Sequence, residues 1–563
     1  MAIIGIDLGT SNSLAAYWDG QEVGLIKSRF GNHLTPSVVG IDDNGELLVG
    51  EIAKERLVSH PQKTAATFKR FMGTEKIYQL GEQHFTPIEL SSLIIASLKE
   101  DAELYLQQPC EEVVISVPAY FNNIQREATM EAANLAGLKV LNLISEPTAA
   151  AMAYGFHKED DLSILVIDLG GGTFDVSLLE MFEGIMQVEA IAGDNHLGGE
   201  DFTQVIVRDC LAENQLENES LPAAVHSVLY QKAETLKKEL ANQGKTGFDF
   251  TYQDTSYHYQ LDRQKYEELC EPLLARMRMP IGRVLNDKRM AVEDIDRVIL
   301  IGGATKDSVV RSFLAKLLRK IPYTGINPDE AVGMGAGIQT ALKKDQKMVS
   351  EMMLTDVCAH TLGVESVRQM GDEWIGGVFS PIIERNTTIP VSKIETFYTV
   401  RDQQPKIRFG VYQGESPRVE ENLKIGEIVI PLEPAPKDYP VDCRFTYDTN
   451  GLLEVLVTIQ KTGKTHQLII EESPGKLTKA EIKESLRKLE KLKIHPRDSA
   501  ENRLLMARLD RLYAETTGEM RGYVQNMLLQ FEAVMQKQDP QLVKKTAKEL
   551  NQKLNELEKG FWL

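Results

Sequence analysis

The chain opens on a short apolar run, Ile3-Ile4-Gly5-Ile6, that stops at Asp7-Leu8-Gly9-Thr10-Ser11-Asn12. A run of that length, closed by a glycine turn and hydroxyl side chains, predicts a buried strand ending in a carboxylate. About 160 residues later the same design returns as Leu165-Val166-Ile167-Asp168-Leu169-Gly170-Gly171-Gly172-Thr173-Phe174-Asp175. Two copies predict a duplicated domain in which each copy pushes a β-hairpin into a shared cleft. A third apolar run, Val298 to Ile301, ends in Gly302-Gly303-Ala304-Thr305 and predicts a strand-end loop at the open side of an α/β sheet, where ligands bind.

After Gln346 the pattern changes. Ile407, Phe409 and Val411 alternate with Arg408, Gly410 and Tyr412, and Leu453, Val455, Val457 and Ile459 alternate along a further strand. With hairpin turns at Asn450-Gly451 and Thr462-Gly463, this predicts a small β-sandwich. From Lys476 the period becomes helical. Thr478-Lys479-Ala480-Glu481 is a capping box before the stripe Ile482, Leu486, Leu489 and Leu492, and Asp539-Pro540 is a second helix start.

Composition narrows the functions these elements can serve. The 563 residues carry 63 Lys and Arg against 82 Asp and Glu, a net charge of −19. That balance excludes broad binding to nucleic acid or anionic membrane, which rewards clustered cations. The charge is uneven: from Lys476 onward 18 basic residues face 13 acidic ones, so a +5 tail follows a −24 body. Cys110, Cys210, Cys270, Cys358 and Cys443 form no metal or CxxC spacing, as expected of reduced thiols in a reducing compartment. Asp7 interrupts the first apolar stretch, and no uncharged run of about 18 residues occurs, so neither signal peptide nor membrane span is expected.

The glycine loops point to a phosphate ligand. Gly9 and Gly170 to Gly172 carry no Cβ, so backbone N–H groups can approach phosphate oxygens, and Thr10, Ser11 and Thr173 add hydroxyl donors. Asp7 and Asp168 would repel phosphate unless a cation stands between, and oxygen ligands with a triphosphate imply Mg²⁺ held through water. There is no GxxxxGK[ST] or GxGxxG turn, which weakens Walker-type and Rossmann readings.

The collected motifs resemble the DnaK-type, seventy-kilodalton heat-shock chaperone family. They are Ile6 to Ser13, Val166 to Ser177, Val298 to Thr305, Val117 to Phe121, Ser145 to Ala151, Gly198-Gly199-Glu200-Asp201 and Asn327 to Ala331, in family order over residues 1 to about 475. The short length and atypical C-terminus are most similar to the bacterial HscC-type branch. The resemblance implies a multidomain fold: an α/β actin-like (ribonuclease H-like) ATPase domain at 1–346, a linker at 347–356, a β-sandwich substrate-binding domain at 357–475 and a short helical lid at 476–563. It implies ATP and ADP with Mg²⁺, and K⁺ as a further cation. It also implies unfolded or extended client polypeptides, a J-domain co-chaperone, here a dedicated one, and a mainly monomeric cytoplasmic protein; the segments Gly73 to Pro109 and Gly244 to Gly247, short against the family where exchange factors grip, weigh against dependence on the usual exchange factor.

Residue roles follow from the same resemblance. Lys69 would reach the γ-phosphate, Glu146 would orient the attacking water, Asp168 would hold the Mg²⁺ shell with Asp7 opposite, and Thr173 would bond the γ-phosphate. Asp175 and Asp329 stand as further cation-shell positions. Gly9, Thr10, Ser11, Asn12, the 170–172 and 198–199 glycines, Glu200, Gly302 and Gly303 would cradle the nucleotide, with Glu234, Lys237 and Lys238 at the adenosine. Without the family, Lys69-Arg70 reads as a basic surface pair, Glu146 as a turn carboxylate, and Glu234 with Lys238 as an exposed ion pair. Ala241, Ala304 and Lys306 stand where the family has Ser, Ser and Arg, so nucleotide release should be faster than in a typical member.

Pro118 and Arg126 match an allosteric relay, and Met352, Met353, Leu354 and Asp356 match a docking linker, which bare pattern reads as the start of a strand. Val364, Ser366, Val367, Phe397, Tyr398, Val400, Ile407, Phe409 and Leu452 would line a groove for extended apolar peptide; each alone is equally a core residue. Asn142 replaces an arginine that meets the J-domain, while Asp356 is kept.

A sugar kinase or actin relative on the same fold would end near residue 350, without the β-domain. An exchange-factor-like relative that does not hydrolyse ATP is disfavoured by the intact Lys69, Glu146, Asp168 and Thr173.

Overall fold

The computed structural model describes residues 2–561, apart from 43, 156–161, 183–184, 218–220, 242, 254, 324, 345–352, 371–372, 434–435, 449–451, 472–501 and scattered positions between 503 and 517. They divide into two compact units, Met1–Thr355 and Asp356–Leu563.

In the first unit the opening apolar run forms the strand Ala2–Asp7, with Ile4 and Ile6 sealed from solvent. Its glycine turn leads into Asn12–Trp18, paired antiparallel, and on its other side Cys110–Val117 and then Lys139–Ser145 pair in parallel. The second half repeats the plan. Leu162–Leu169 turns through its glycines into antiparallel Phe174–Phe182 and pairs in parallel with Arg297–Ile301. A lone parallel bridge from Ile299 to Tyr323 stands where the first half has its outermost strand. The two motifs therefore mark two sheets of matching order, with both glycine turns following the central strand.

The helix Ala331–Lys344 locks the first sheet. A Cβ at Gly5 would lie 2.4 Å from the Ala336 carbonyl carbon, and one at Gly335 would lie 1.8 Å from the Ala149 carbonyl oxygen. This helix therefore touches the strand carrying Asp7 and the helix Glu146–Ala153 backbone to backbone, setting Glu146 relative to Asp7.

Met353–Val357 is a strand, and its first three residues pair in parallel with Ile185–Gln187. The division between units falls at Thr355–Asp356, inside the segment expected as linker. Met352 lies outside the described residues.

The second unit holds two four-stranded antiparallel sheets. One runs Glu373–Ile383, Leu362–Met370, Lys406–Gln413, Leu423–Pro431; the other runs Val391–Tyr398, Pro440–Tyr447, Leu452–Ile459, Thr465–Glu471. Val364, Phe409 and Val411 of the first share a core with Val441, Phe445 and Val455 of the second. Val364, Phe409 and Leu452 are 0%, 2% and 0% exposed; Val364 and Phe409 belong to the shared core, whereas Leu452 precedes Leu453, whose alternate positions face that core. Phe397 and Ile407 are half-buried against the same core, and Val400 is half-buried. Ser366 Oγ lies 2.7 Å from Ser380 Oγ. Val367 and Tyr398, at 43% and 57% exposure, are open to solvent.

The Thr462-Gly463 turn forms as expected, with Gly463 N donating to Ile459 O at 2.9 Å and Gly463 at φ 67°. Asn450-Gly451, the capping box at Thr478 and the stripe from Ile482 to Leu492 lie outside the described residues. The helices Gly518–Gln536 and Pro540–Phe561 share a core that includes Val524, Phe531, Val543 and Leu550. Asp539 Oδ1 caps the latter, accepting from Leu542 N at 3.1 Å. In the turn between them, the Gln538 amide both donates to Ile394 O and accepts from Ile394 N, each at 3.2 Å, on the strand Val391–Tyr398. Among the described residues no helix is long and apolar enough to cross a membrane.

Gly335→Ala separates packing from propensity. Helix propensity alone favours alanine by about 1 kcal/mol. The contact with Ala149 should reverse the sign and destabilise the first unit by about 1–3 kcal/mol, read as a lower denaturant midpoint.

Candidate active site

The strand ends and glycine turns of the two halves meet at one cavity of about 460 Å³. Asp7 ends its strand there and Asp168 stands one residue before the end of its own. Glu146 opens the helix Glu146–Ala153, where the positive end of the backbone dipole favours a carboxylate. Lys69 sits in the single helical turn Phe68–Phe71, entered through Thr67 at φ 58°, a backbone region that β-branched residues rarely adopt. That turn aims Lys69 inward: its side chain is 4% exposed, with Nζ 3.0 Å from Glu146 Oε1. Arg70 points the other way and pairs with Asp201 of the second half at 3.1 Å. The Lys69-Arg70 pair is therefore not a surface feature.

The glycines serve a closer purpose than phosphate approach alone. A Cβ at Gly171 would lie 2.0 Å from Ser11 Oγ, and one at Gly198 would lie 2.4 Å from the Gly171 backbone. The two hairpin loops thus abut each other, and the helix Gly199–Glu213 rests on the second. Glu200 N donates to Gly171 O and Gly199 N to Gly170 O, each at 2.9 Å. Gly172 and Gly198 lie in this packing rather than on the cavity wall. Two loop N–H groups expected to face phosphate are engaged inside the loops: Gly9 N with Ser13 Oγ and Gly170 N with Thr173 O, each at 3.1 Å. Gly302, at φ 79°, passes so close to Leu169 O that a Cβ would stand 2.4 Å from it.

Carboxylates crowd the cavity floor. Burial, then the neighbouring Glu146, pushes Asp7 up to about 7, although Lys69 and a 2.7 Å bond from Ser116 Oγ oppose the rise. Burial and Glu146 raise Asp168 well above the usual carboxylate range. Asp175, just behind the wall, is pushed up to about 8 by burial and Glu146, with Lys69, the Tyr120 amide and Arg126 as partial offsets. Neither Asp175 oxygen has a hydrogen bond of good geometry. Such a set of oxygen donors fits a hard divalent cation. Among the described residues no group of three or more His, Cys, Asp or Glu is placed to hold an ion directly.

Glu200, Glu234, Lys237, Lys238, Gly302, Gly303, Ala304, Lys306 and Asp329 line the same cavity. Lys237 and Lys238 pair with Glu234 at 2.7 and 3.1 Å. Asp329, expected as a further cation-shell position, pairs with Lys306, whose Nζ lies 2.5 Å from its Oδ2. Gly9, Thr10, Ser11, Asn12, Gly170, Gly171, Thr173 and Gly199 complete the lining among the expected residues. Leu34, Phe202, Asp307, Pro328 and Val332 also line it and carry no chemical signature; Phe202 and Asp307 merely adjoin the motif residues Asp201 and Lys306. Pro118 is buried outside the cavity, and Arg126 reaches back to its turn through Phe121 O at 3.2 Å and Ala119 O at 3.4 Å.

A family model described as Hsp70 protein matches residues 3–79 and 74–561, nearly the whole chain. The chain belongs to the Hsp70 family. Membership implies ATP-dependent chaperone activity, ATP hydrolysis, ATP or ADP with Mg²⁺ as ligands, and in general unfolded client peptides and J-domain co-chaperones as partners. The glycine-flanked cavity with its acidic floor is the part of this Hsp70 suited to the nucleotide.

The acidic floor sets a pH dependence for the metal-free protein. Asp7 and Asp175 titrate higher folded than unfolded, so the folded state binds more protons between about pH 4 and 8 and loses stability as pH rises through that window. In chelator without nucleotide, the melting temperature of the first unit should fall from pH 6 to pH 8.5. Saturating Mg²⁺ and ADP should flatten that slope, because a bound cation favours the ionised carboxylates.

Proposed function

We propose that this Hsp70 is an HscC-type chaperone in which ATP hydrolysis at the cavity governs capture and release of extended apolar peptide by the β-sandwich unit. The observation that carries the reading is the buried Lys69–Glu146 pair, facing Asp7 and Asp168 between two abutting glycine loops. Phosphoryl transfer asks mainly for positioning and charge stabilisation. Lys69 supplies a fixed positive charge where the γ-phosphoryl oxygens gain negative charge. Glu146, held beside it, orients the attacking water and accepts its proton. Thr173 and Thr10 offer hydroxyl donors to the phosphates. Asp7, Asp168 and Asp175 would hold Mg²⁺ through water, and the ion supplies charge neutralisation there; K⁺ would share the same shell.

Coupling to the second unit has a physical route at its start. Arg126 grips the Pro118–Phe121 turn, and its charge reaches Asp175, so a change at the cavity floor is felt at that turn. The strand Met353–Thr355, with Leu354 at its centre, lies against Ile185–Gln187, consistent with a linker that docks. Asp356 begins the second unit. A dedicated J-domain partner, independence from the usual exchange factor and a cytoplasmic setting belong to the same reading. A narrower alternative, regulatory binding of few clients, draws on Tyr398, whose bulk is 57% exposed where a broad groove would carry a small side chain.

Steady-state ATP hydrolysis with and without an apolar peptide tests the proposal. Hydrolysis should rise with peptide, Lys69→Ala should lower kcat by roughly 10²–10³-fold, and Glu146→Gln by roughly 10²–10⁴-fold. No hydrolysis, or no peptide effect together with no peptide binding, would defeat it.

A further inference from the structure

The helix Gly199–Glu213 and the helix Ala223–Leu240 both line the cavity, contributing Glu200 from one and Glu234, Lys237 and Lys238 from the other. Side chains bridge them closely. Thr203 Oγ1 donates to Glu234 Oε2 at 2.5 Å, Lys237 Nζ donates to Gly199 O at 3.0 Å and to Thr203 Oγ1 at 2.6 Å, and the Tyr230 hydroxyl donates to Glu200 Oε2. The last contact stands apart. Tyr230 does not line the cavity, yet it engages a carboxylate that does.

Both partners are shielded. Burial, followed by Glu200, lifts the Tyr230 phenol far above its ordinary range, so it remains a donor at any working pH. Burial also raises Glu200, and the Tyr230 bond and Lys237 draw it back toward the ionised form. A carboxylate held as an acceptor beside a nucleotide's sugar is the group that recognises ribose hydroxyls. Glu200 otherwise hangs on a flexible stem at the second position of its helix, with several rotamers open to it. The hydroxyl of Tyr230 removes that freedom by fixing one of the two oxygens.

We propose that Tyr230 is a positioning residue for the nucleotide's sugar: its hydroxyl holds the Glu200 carboxylate where it accepts from the ribose hydroxyls. The inference rests on the ATPase reading above. It assigns sugar discrimination to a side chain outside the cavity, and it offsets the weak adenine contacts expected of Ala304 and of Lys306, which is paired with Asp329.

Tyr230→Phe removes the hydroxyl and keeps the ring. In the full chain with Mg²⁺, affinities for ATP and for 2′,3′-dideoxy-ATP are compared between wild type and variant. The variant should bind ATP about fivefold to tenfold more weakly and dideoxy-ATP less than about twofold more weakly. In a Glu200→Gln background the same change should add less than about twofold. Equal weakening of both nucleotides would make Tyr230 a brace between helices, and unchanged ATP affinity would make its hydroxyl idle; either overturns the assignment. A wild type that binds no ATP sinks the ATPase reading and the assignment together, whereas a wild type that binds ATP beside an indifferent variant sinks the assignment alone. Should Tyr230→Phe fail a thermal-melt check of folding, Glu200→Gln carries the test, expected to erase the preference for ATP over dideoxy-ATP and refuting the proposal if the preference stays.

Discussion

Everything at the centre of the first unit answers to one electrostatic constraint: four buried carboxylates share one buried cation. Asp7, Asp168, Asp175 and Glu146 lie within each other's fields, and among the described residues Lys69 is the one lysine or arginine that is fully buried. Removing several charges from water costs far more than a single pair can return. Burial and mutual repulsion push Asp7, Asp168 and Asp175 up, Lys69 offsets part of the charge, and a divalent cation would offset more of it. Each loop, helix start and backbone contact around the cavity places one of these groups. The helix Ala331–Lys344 sets Asp7 against Glu146, the left-handed Thr67 aims Lys69, and the abutting glycines close the two halves over the floor.

The same constraint links the site to its surroundings. Asp175 stands behind the cavity wall, where Arg126 partly offsets it, and Arg126 also holds the turn that begins at Pro118. On the proposed reading, a change in charge at the floor would alter how strongly Arg126 is drawn inward, and the turn beyond it would register occupancy without touching ligand. This is a local electrostatic coupling through named contacts, which is what a two-state relay needs at its first step.

Much of this was legible in the chain before any fold was seen, and the reason is physical. A strand buried on both faces must be continuously apolar, and a loop packed against another loop must lack side chains, so Ile3 to Gly9 and Leu165 to Gly172 announce themselves. Repetition then converts a weak signal into a duplicated architecture. What sequence could not supply was direction. Val364, Phe409 and Leu452 carry the residue types of a peptide groove and of a core alike, and only the fold shows all three buried. Asp329 and Lys306 lie 23 positions apart, and only the fold reveals that they satisfy each other at 2.5 Å. Leu34 and Val332 line the cavity through shape alone.

Tyr230 shows the same boundary from the other side. On the helix Ala223–Leu240 it reads as one more amphipathic aromatic, three and four residues before Ala233 and Glu234 in the helical repeat. Its meaning comes from the neighbouring helix, whose first turn rests on Gly170 and Gly171 and so carries Glu200 to the cavity rim. The glycines that let two loops abut thereby also decide which carboxylate the tyrosine meets. A substitution at Gly171 would therefore disturb two things at once: the closure of the two halves through Ser11, and the anchoring of the helix that presents Glu200. On the proposed reading, the phosphate-facing loop and the Glu200 that would meet the sugar are positioned by one piece of backbone, so neither could be tuned far without moving the other.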